Sequence, residues 1–233
     1  MFDGRMKAVT FSYDDGVTQD IRLIEMFDKY GLKGTFNLNS GSFGKIDTSG
    51  RKDVRNIVKA EEVARIYKNH EVASHTLTHP YLTTLSDDEI LYQITEDQKN
   101  LSALCGYDIV GMAYPGGGEK NSNEYVGDFI RKNTSIKYAR TITSTYNFEL
   151  QEDLTRFNPT VFHMETDKMF ELAHEFIEMK TDTPKIFYIW GHSYEFDGFD
   201  LWGKMEGFCK LISGHDDIFY GTNCEVLLQE DTF

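Results

Sequence analysis

One repeated order constrains this 233-residue chain more than any other feature. A short apolar run is followed by a turn, then by a longer segment whose apolar residues recur every three or four positions. Residues 7–13 read as a strand. Residues 19–30 follow as a helix with Ile21, Ile24, Phe27 and Tyr30 on one face, Thr18 as its cap and Gly31 as its stop. Residues 33–38 form the next strand, 39–56 a loop carrying Gly and Ser, and 60–69 a helix leading into a strand at 71–74. Ser86 and Glu89 make a capping box that opens a helix to about Leu104, stopped by Gly106. Strands at 109–114 and 136–142 flank a helix at 123–132, and 143–160 shows no period. A strand at 160–164, a helix capped by Thr166 and running to about Lys180, a strongly apolar strand at 185–190, a helix at 201–212 and a strand at 218–222 complete the chain.

Parallel neighbours need long crossovers, and the helices supply them. The pattern therefore predicts an α/β fold, a parallel sheet covered by helices, as a single domain over residues 1–233. Pattern alone does not separate a closed barrel from an open doubly wound sheet. In both, ligands bind at the carboxyl ends of the strands, so chemistry is to be sought there.

The charge narrows the partners. Against 24 Lys and Arg stand 38 Asp and Glu, a net charge of −14. Nucleic acid and anionic membrane surfaces are bound by cations, so neither is expected as a partner. A neutral sugar is compatible with such a surface, as is simple solubility. Cys105, Cys209 and Cys224 are too widely spaced for a metal knuckle and read as small buried apolar residues. Residues 1–7 are too short and polar for a signal peptide, and no apolar run approaches the ~18 residues that cross a bilayer. A cytoplasmic location is the expectation.

Four segments fall where strands are predicted to end. Asp14-Asp15-Gly16 offers adjacent carboxylates that point in different directions, so one can bind a metal while the other handles protons; the same triplet is also ordinary turn chemistry. His75 and His79 are four apart and can reach one ion from one turn, with Pro80 limiting that turn. Two imidazoles and a carboxylate suit a divalent ion, zinc first, with positions left for water and substrate. Such an ion lowers the pKa of water toward ~7, and the second carboxylate can take the proton. The glycines of Tyr114-Pro115-Gly116-Gly117-Gly118 let backbone N–H groups approach a ligand, as an oxyanion site requires, or make a plain tight turn. His192, in Trp190-Gly191-His192, is placed to protonate a leaving group or to serve as a structural histidine.

In this order the segments resemble the polysaccharide deacetylase family, carbohydrate esterase family four, also called the NodB-homology family. Phe11-Ser12-Tyr13-Asp14-Asp15-Gly16 corresponds to its Thr-Phe-Asp-Asp-Gly motif, His75–His79 to His-(Ser/Thr)-x-x-His, and Trp190-Gly191-His192 to Leu-x-His. The resemblance covers residues 10 to about 192 with spacing normal for the family. It implies a distorted (β/α)7 TIM-like barrel and metal-assisted removal of acetyl groups from carbohydrate. It also implies Asp14 as general base, Asp15, His75 and His79 as metal ligands, His192 as general acid and the Gly116 backbone N–H at the oxyanion. Zinc is the implied metal, with cobalt, nickel or manganese as alternatives. Tyr114 and Trp190 are the expected substrate contacts.

The family's Arg-x-Pro-Tyr becomes Ala113-Tyr114-Pro115-Gly116, and its Asp-x-x-Asp-Trp has no good match. Arg140, near the end of an adjacent strand, can replace the missing arginine beside Asp14, and Glu195 can serve as the acidic partner of His192. An N-acetylated poly- or oligosaccharide is the leading substrate. O-acetyl esters, small cyclic amides and a non-catalytic sugar-binding barrel are the alternatives.

Overall fold

The structure, a computed structural model, describes residues 1–229. Its strands are β1 (Lys7–Asp14), β2 (Gly34–Leu38), β3 (Glu71–Ser74), β4 (Gly111–Ala113), β5 (Tyr138–Arg140), β6 (Val161–Phe162), β7 (Lys185–Gly191) and β8 (Ile218–Tyr220). They form one sheet in the order β5-β4-β3-β2-β1-β7-β6, with β8 beside the first half of β1. Every strand pair is parallel. The helices α1 (Asp20–Tyr30), α2 (Val63–Ile66), α3 (Asp87–Cys105), α4 (Glu124–Asn133), α5 (Thr166–Glu178), α6 (Tyr194–Gly198), α7 (Trp202–Ile212) and α8 (Asn223–Leu227) lie between and after them.

All residues of β1 are buried, as expected of a strand covered on both faces. Its alternation assigns the two faces. Val9, Phe11 and Tyr13 join the large apolar layer that also holds Leu23 and Phe27 of α1 and Phe208 of α7. Ala8, Thr10, Ser12 and Asp14 point the other way: Thr10 bonds Asn223, and Ser12 and Asp14 meet Arg140. The same division runs along β7, with Phe187 and Ile189 outside and Ile186 and Tyr188 inside.

That inner face is the inside of a barrel. Four strand spacings of ~4.8 Å would separate β5 from β1 by about 19 Å in a flat sheet. Instead Arg140 of β5 touches Asp14 of β1, with Nη2 2.6 Å from Oδ1. The ring is completed loosely. Phe157 bridges Arg140, and the strand that begins four residues later pairs β7. Below, α8 plugs the amino-terminal ends of the strands. Asn223 bonds the hydroxyls of Thr10, Thr35 and Tyr188, while Glu71 accepts from Thr35, Tyr138 and the Cys224 N–H. The carboxyl ends remain open.

Some elements depart from the sequence reading. The helix expected over residues 60–69 is a 3-10 turn, Ala60–Glu62, and the single turn α2. Tyr67 and His70 leave helical geometry for tertiary partners, Tyr67 donating to Asp20 (2.8 Å) and His70 Nδ1 accepting from Gly34 N (3.1 Å). Thr18 does not cap α1; its hydroxyl turns to Gln19, which occupies the cap position. Glu165, not Thr166, precedes α5. The Ser86–Glu89 capping box is present. The three cysteines are free, and only Cys209 is fully buried.

Candidate active site

At the open end, Asp15, His75 and His79 bring one ligand atom each within 4.8 Å of one another. Asp15 follows β1 and His75 follows β3, two strands separated by β2, so strand ends on one rim place them. Asp15 Oδ1 lies 3.7 Å from both His75 Nε2 and His79 Nε2. Atoms ~2.0–2.1 Å from one tetrahedral ion sit about 3.3 Å apart, so Asp15 is within a few tenths of an ångström of that spacing from each imidazole, and the set could close on a divalent ion by drawing the two rings together.

The protonation state also fits. His75 Nδ1 lies 2.9 Å from the Ala113 carbonyl, which can only accept. Nδ1 therefore carries the hydrogen and Nε2 presents a bare lone pair. Burial, outweighing the nearby carboxylates, pushes the His75 pKa down to about 4 and keeps the ring neutral. Backbone strain marks two of the three ligands and the residue after the third: Asp15, His79 and Thr76 have φ of 78°, 65° and 64°. The loop is tied down beneath. Asp97 of α3 accepts from Ser74 Oγ (2.6 Å) and Ser40 N (2.8 Å), Asn39 bonds the His75 and Thr76 carbonyls, and His79 N donates to Thr76 Oγ1 (3.2 Å).

Asp14 is buried beside this set, 4.0 Å from His75 Nε2. Arg140 Nη2 contacts both of its oxygens, and Asn37 Nδ2 donates to Oδ1 at 2.8 Å. The guanidinium is itself fixed. Nε donates to Ser12 Oγ (3.2 Å), Nη1 to the Thr141 carbonyl (2.9 Å), and Cζ lies 4.5 Å from the centroid of the Trp190 ring. Burial raises the Asp14 pKa, but the Arg140 charge and hydrogen bond, with His75 and His192, outweigh it and hold the carboxyl below its usual range.

Two further walls face the carboxylates. After β4 the chain turns through Gly116 at φ 76°, where a Cβ would lie 2.3 Å from the Tyr81 ring. Asn121 Nδ2 bonds the carbonyls of Tyr114 and Gly116 and so holds the turn's oxygens away from the cleft. After β7, His192 Nδ1 and N both lie 3.2 Å from Glu195 Oε2, which His163 Nε2 approaches to 2.7 Å. Burial lowers the His192 pKa, but Glu195, Asp15 and Asp14 more than compensate, and the net shift is upward.

The cleft is lined by Asp14, Asp15, His75, His79, Gly116, Trp190 and His192. Arg140 lies below it on Asp14. Tyr114, expected as a substrate contact, borders the cleft, but its side chain is 1% exposed, packs with Met112 and Ile130 and spends its hydroxyl on the Thr155 carbonyl (2.7 Å). Trp190 is 7% exposed and stands as a wall between Arg140 and Phe162. Of the other aromatics near the strand ends, Phe196 and Trp202 are core, while Tyr146 and Phe199 are exposed.

Sequence reasoning missed Asn37, His163 and Arg55. Asn37, one residue before the end of β2, pairs with Asp14 and was open to the strand-end rule. His163 follows a strand of two residues, too short to leave a period. Arg55 comes from the long 39–56 loop, stacks 3.9 Å over Tyr194 and lines the cleft.

Comparisons with known proteins agree with this geometry. The polysaccharide deacetylase family model matches residues 3–132. A chitin deacetylase from Colletotrichum lindemuthianum is 26% identical over 100 residues, which span 42% of this chain and 38% of that relative's length. Among solved structures, a peptidoglycan deacetylase from Bacillus subtilis aligns with a TM-score of 0.56 at 15% identity, over 96% of this chain and 91% of that one. A family 4 carbohydrate esterase from Streptomyces lividans, in complex with acetate, gives 0.56 at 12% over 94% and 92%. A CE4 family pseudoenzyme from Bacillus anthracis gives 0.54 at 18% over 95% and 65%. These structures share the distorted (β/α)7 barrel. With more than half of its length matched by the family model, the chain belongs to the polysaccharide deacetylase family.

Proposed function

We propose that this protein hydrolyses the acetyl group of an N-acetylated carbohydrate with the help of one divalent ion, zinc by the chemistry of its donors. The observation that supports this most is the bare Nε2 of His75 beside Asp15 and His79, with the Arg140-held Asp14 carboxylate 4.0 Å away. Asp15, His75 and His79 would hold the ion, which supplies a Lewis acid for the acyl carbonyl and for the attacking water.

The chain's own groups account for the rest. Asp14, ionised and oriented by Arg140, accepts the proton of the attacking water. The Gly116 N–H donates to the carbonyl oxygen as it gains charge. His192, its Nδ1 committed to Glu195, presents Nε2 to the departing nitrogen and protonates it as the C–N bond breaks. An amine leaves poorly without a proton, and the raised His192 pKa keeps one available near neutrality. Trp190 and the Arg55–Tyr194 stack shape the substrate's surroundings.

An acetate-release screen tests the reading, with N-acetylated oligosaccharides in one arm and O-acetylated sugars and small cyclic amides in the others. Metal-loaded wild type should release acetate from the first arm, and His192→Phe should lose roughly 10²–10⁴ of that rate. Turnover confined to esters or cyclic amides would replace the substrate assignment, and silence in every arm would favour a binding barrel.

A further inference from the structure

His163 shares the Glu195 Oε2 oxygen with His192, and nothing in the reaction described above uses it. It is 2% exposed and follows β6. We infer that His163 is a positioning residue for the proton donor: its imidazole fixes the Glu195 carboxylate, and Glu195 in turn holds His192 with Nε2 facing the cleft. The inference rests on the assignment of His192 as general acid.

The hydrogen-bond directions follow from the partners. The Tyr13 hydroxyl lies 3.1 Å from His163 Nδ1. A hydroxyl can donate or accept, but the ionised Glu195 beside Nε2 can only accept, and burial keeps the ring neutral; the Tyr13 hydroxyl therefore donates to a bare Nδ1, and Nε2 carries the hydrogen. That hydrogen is directed at Glu195 Oε2, 2.7 Å away. The same oxygen accepts His192 N and Nδ1, so three donors from two residues converge on it. Tyr13, ending in the outer apolar layer, thus reads out through His163 and Glu195 to the orientation of His192.

A glycine corroborates the role. A Cβ on Gly191 would lie 2.5–2.6 Å from the His163 ring. Gly191 is not among the residues with positive φ, so backbone conformation does not demand a glycine there. Space for the imidazole does. The ring is otherwise enclosed by Phe196 (4.6 Å), Phe162 (5.2 Å) and Tyr13 (5.4 Å). The titratable groups facing it are Tyr13 and Asp14 of β1, His192 after β7 and Glu195 of α6. Among them only Glu195 and Tyr13 bond it directly.

The test combines imidazole nitrogen NMR of the metal-free protein with kinetics of the metal-loaded protein. In wild type, His163 should remain the neutral Nε2–H tautomer over about pH 5–8, while His192 titrates within or near that range. His163→Leu should lower kcat by roughly 10–100-fold with KM and metal content unchanged, and should lower the His192 pKa. His163→Gln should recover most of both, because its amide can donate to Glu195 and accept from Tyr13. Gly191→Ala should resemble His163→Leu. A protonated or Nδ1–H His163 in wild type would overturn the inference. So would a Leu variant with wild-type kcat and His192 titration, or a Gln variant as impaired as Leu. If the Leu variant does not fold, the wild-type spectrum and the Gln variant still decide. The spectra need no turnover, so a failure of the deacetylase reading alone would leave the His163–Glu195 coupling visible.

Discussion

Replacing Arg140 puts the largest single strain on the site. Its guanidinium is fully buried and Asp14 is 3% exposed, so the pair is shielded from water and salt. Arg140→Met removes one partner of a buried pair and leaves a carboxylate without its cation, which costs roughly 3–5 kcal/mol. At ~2–4 °C per kcal/mol for a domain of this size, Tm should fall by about 6–20 °C. Arg140→Lys keeps a charge, but one ammonium cannot serve Asp14, Ser12 Oγ and the Thr141 carbonyl in the same plane. The loss of even one of these hydrogen bonds from a charged donor costs about 1.5–3 kcal/mol. The kinetic effect should exceed the thermal one. An Asp14 carboxylate displaced by about 1 Å would lower kcat by on the order of 10²-fold. Metal content should not change, since Arg140 touches no ligand of the triad. The assay is urea unfolding of the metal-free proteins beside steady-state kinetics and metal analysis of the loaded ones. Unchanged stability in Arg140→Met would refute the claim of a buried, mutually dependent pair. Unchanged kcat in Arg140→Lys would refute the claim that Arg140 orients Asp14.

Three further substitutions probe separate parts of the account. Asp14→Asn should retain the metal and lose acetate release, whereas Asp15→Asn should lose both; metal analysis of the purified variants decides, and the opposite pattern would exchange the two roles. Gly116→Ala drives a Cβ into the Tyr81 ring and strains a positive φ, so the N–H should move and kcat fall by as much as ~10²–10³, with KM the control; full activity would remove that N–H from the mechanism. Asp20 carries a pH signature. Burial pushes its pKa up to about 7, only partly offset by the Ser193 and Tyr67 hydrogen bonds. A raised pKa means stability that is full below the unfolded carboxyl's ~3.9 and lost as pH rises through about 7. In the metal-free state, wild type should therefore lose unfolding free energy relative to Asp20→Asn across that window. Parallel pH profiles would contradict the assignment.

The alternation of strand and helix was readable because β1, β7 and the amphipathic faces of α1, α3 and α4 repeat with clear periods. Those same periods do not encode curl. Whether Arg140 reaches Asp14 depends on a sheet that closes through one bridge at Phe157 and two residues of β6, and no local pattern reports that. Residues at strand ends were legible in proportion to the length of their strands. Asp14, His75 and His192 follow well-marked runs, whereas His163 follows a strand of two residues after a stretch without period. Tyr114 shows a second limit: a strand-end aromatic looks the same in sequence whether its ring faces the cleft or, as here, the layer beneath α3 and α4. Glu195 was legible as a neighbour of His192, but its sharing between two imidazoles is a product of α6, whose five residues are too few to show a helical face.

The proposed chemistry depends on a single ion held by Asp15, His75 and His79, and a titration tests it directly. Protein stripped with a chelator would be returned to zinc in steps while acetate release from an N-acetylated oligosaccharide is measured at each step. Activity should start near zero, rise linearly and level off at one equivalent, and His79→Ala should show no such break. Acetate release that is already complete in the stripped protein, or a break that survives in His79→Ala, would contradict the central claim.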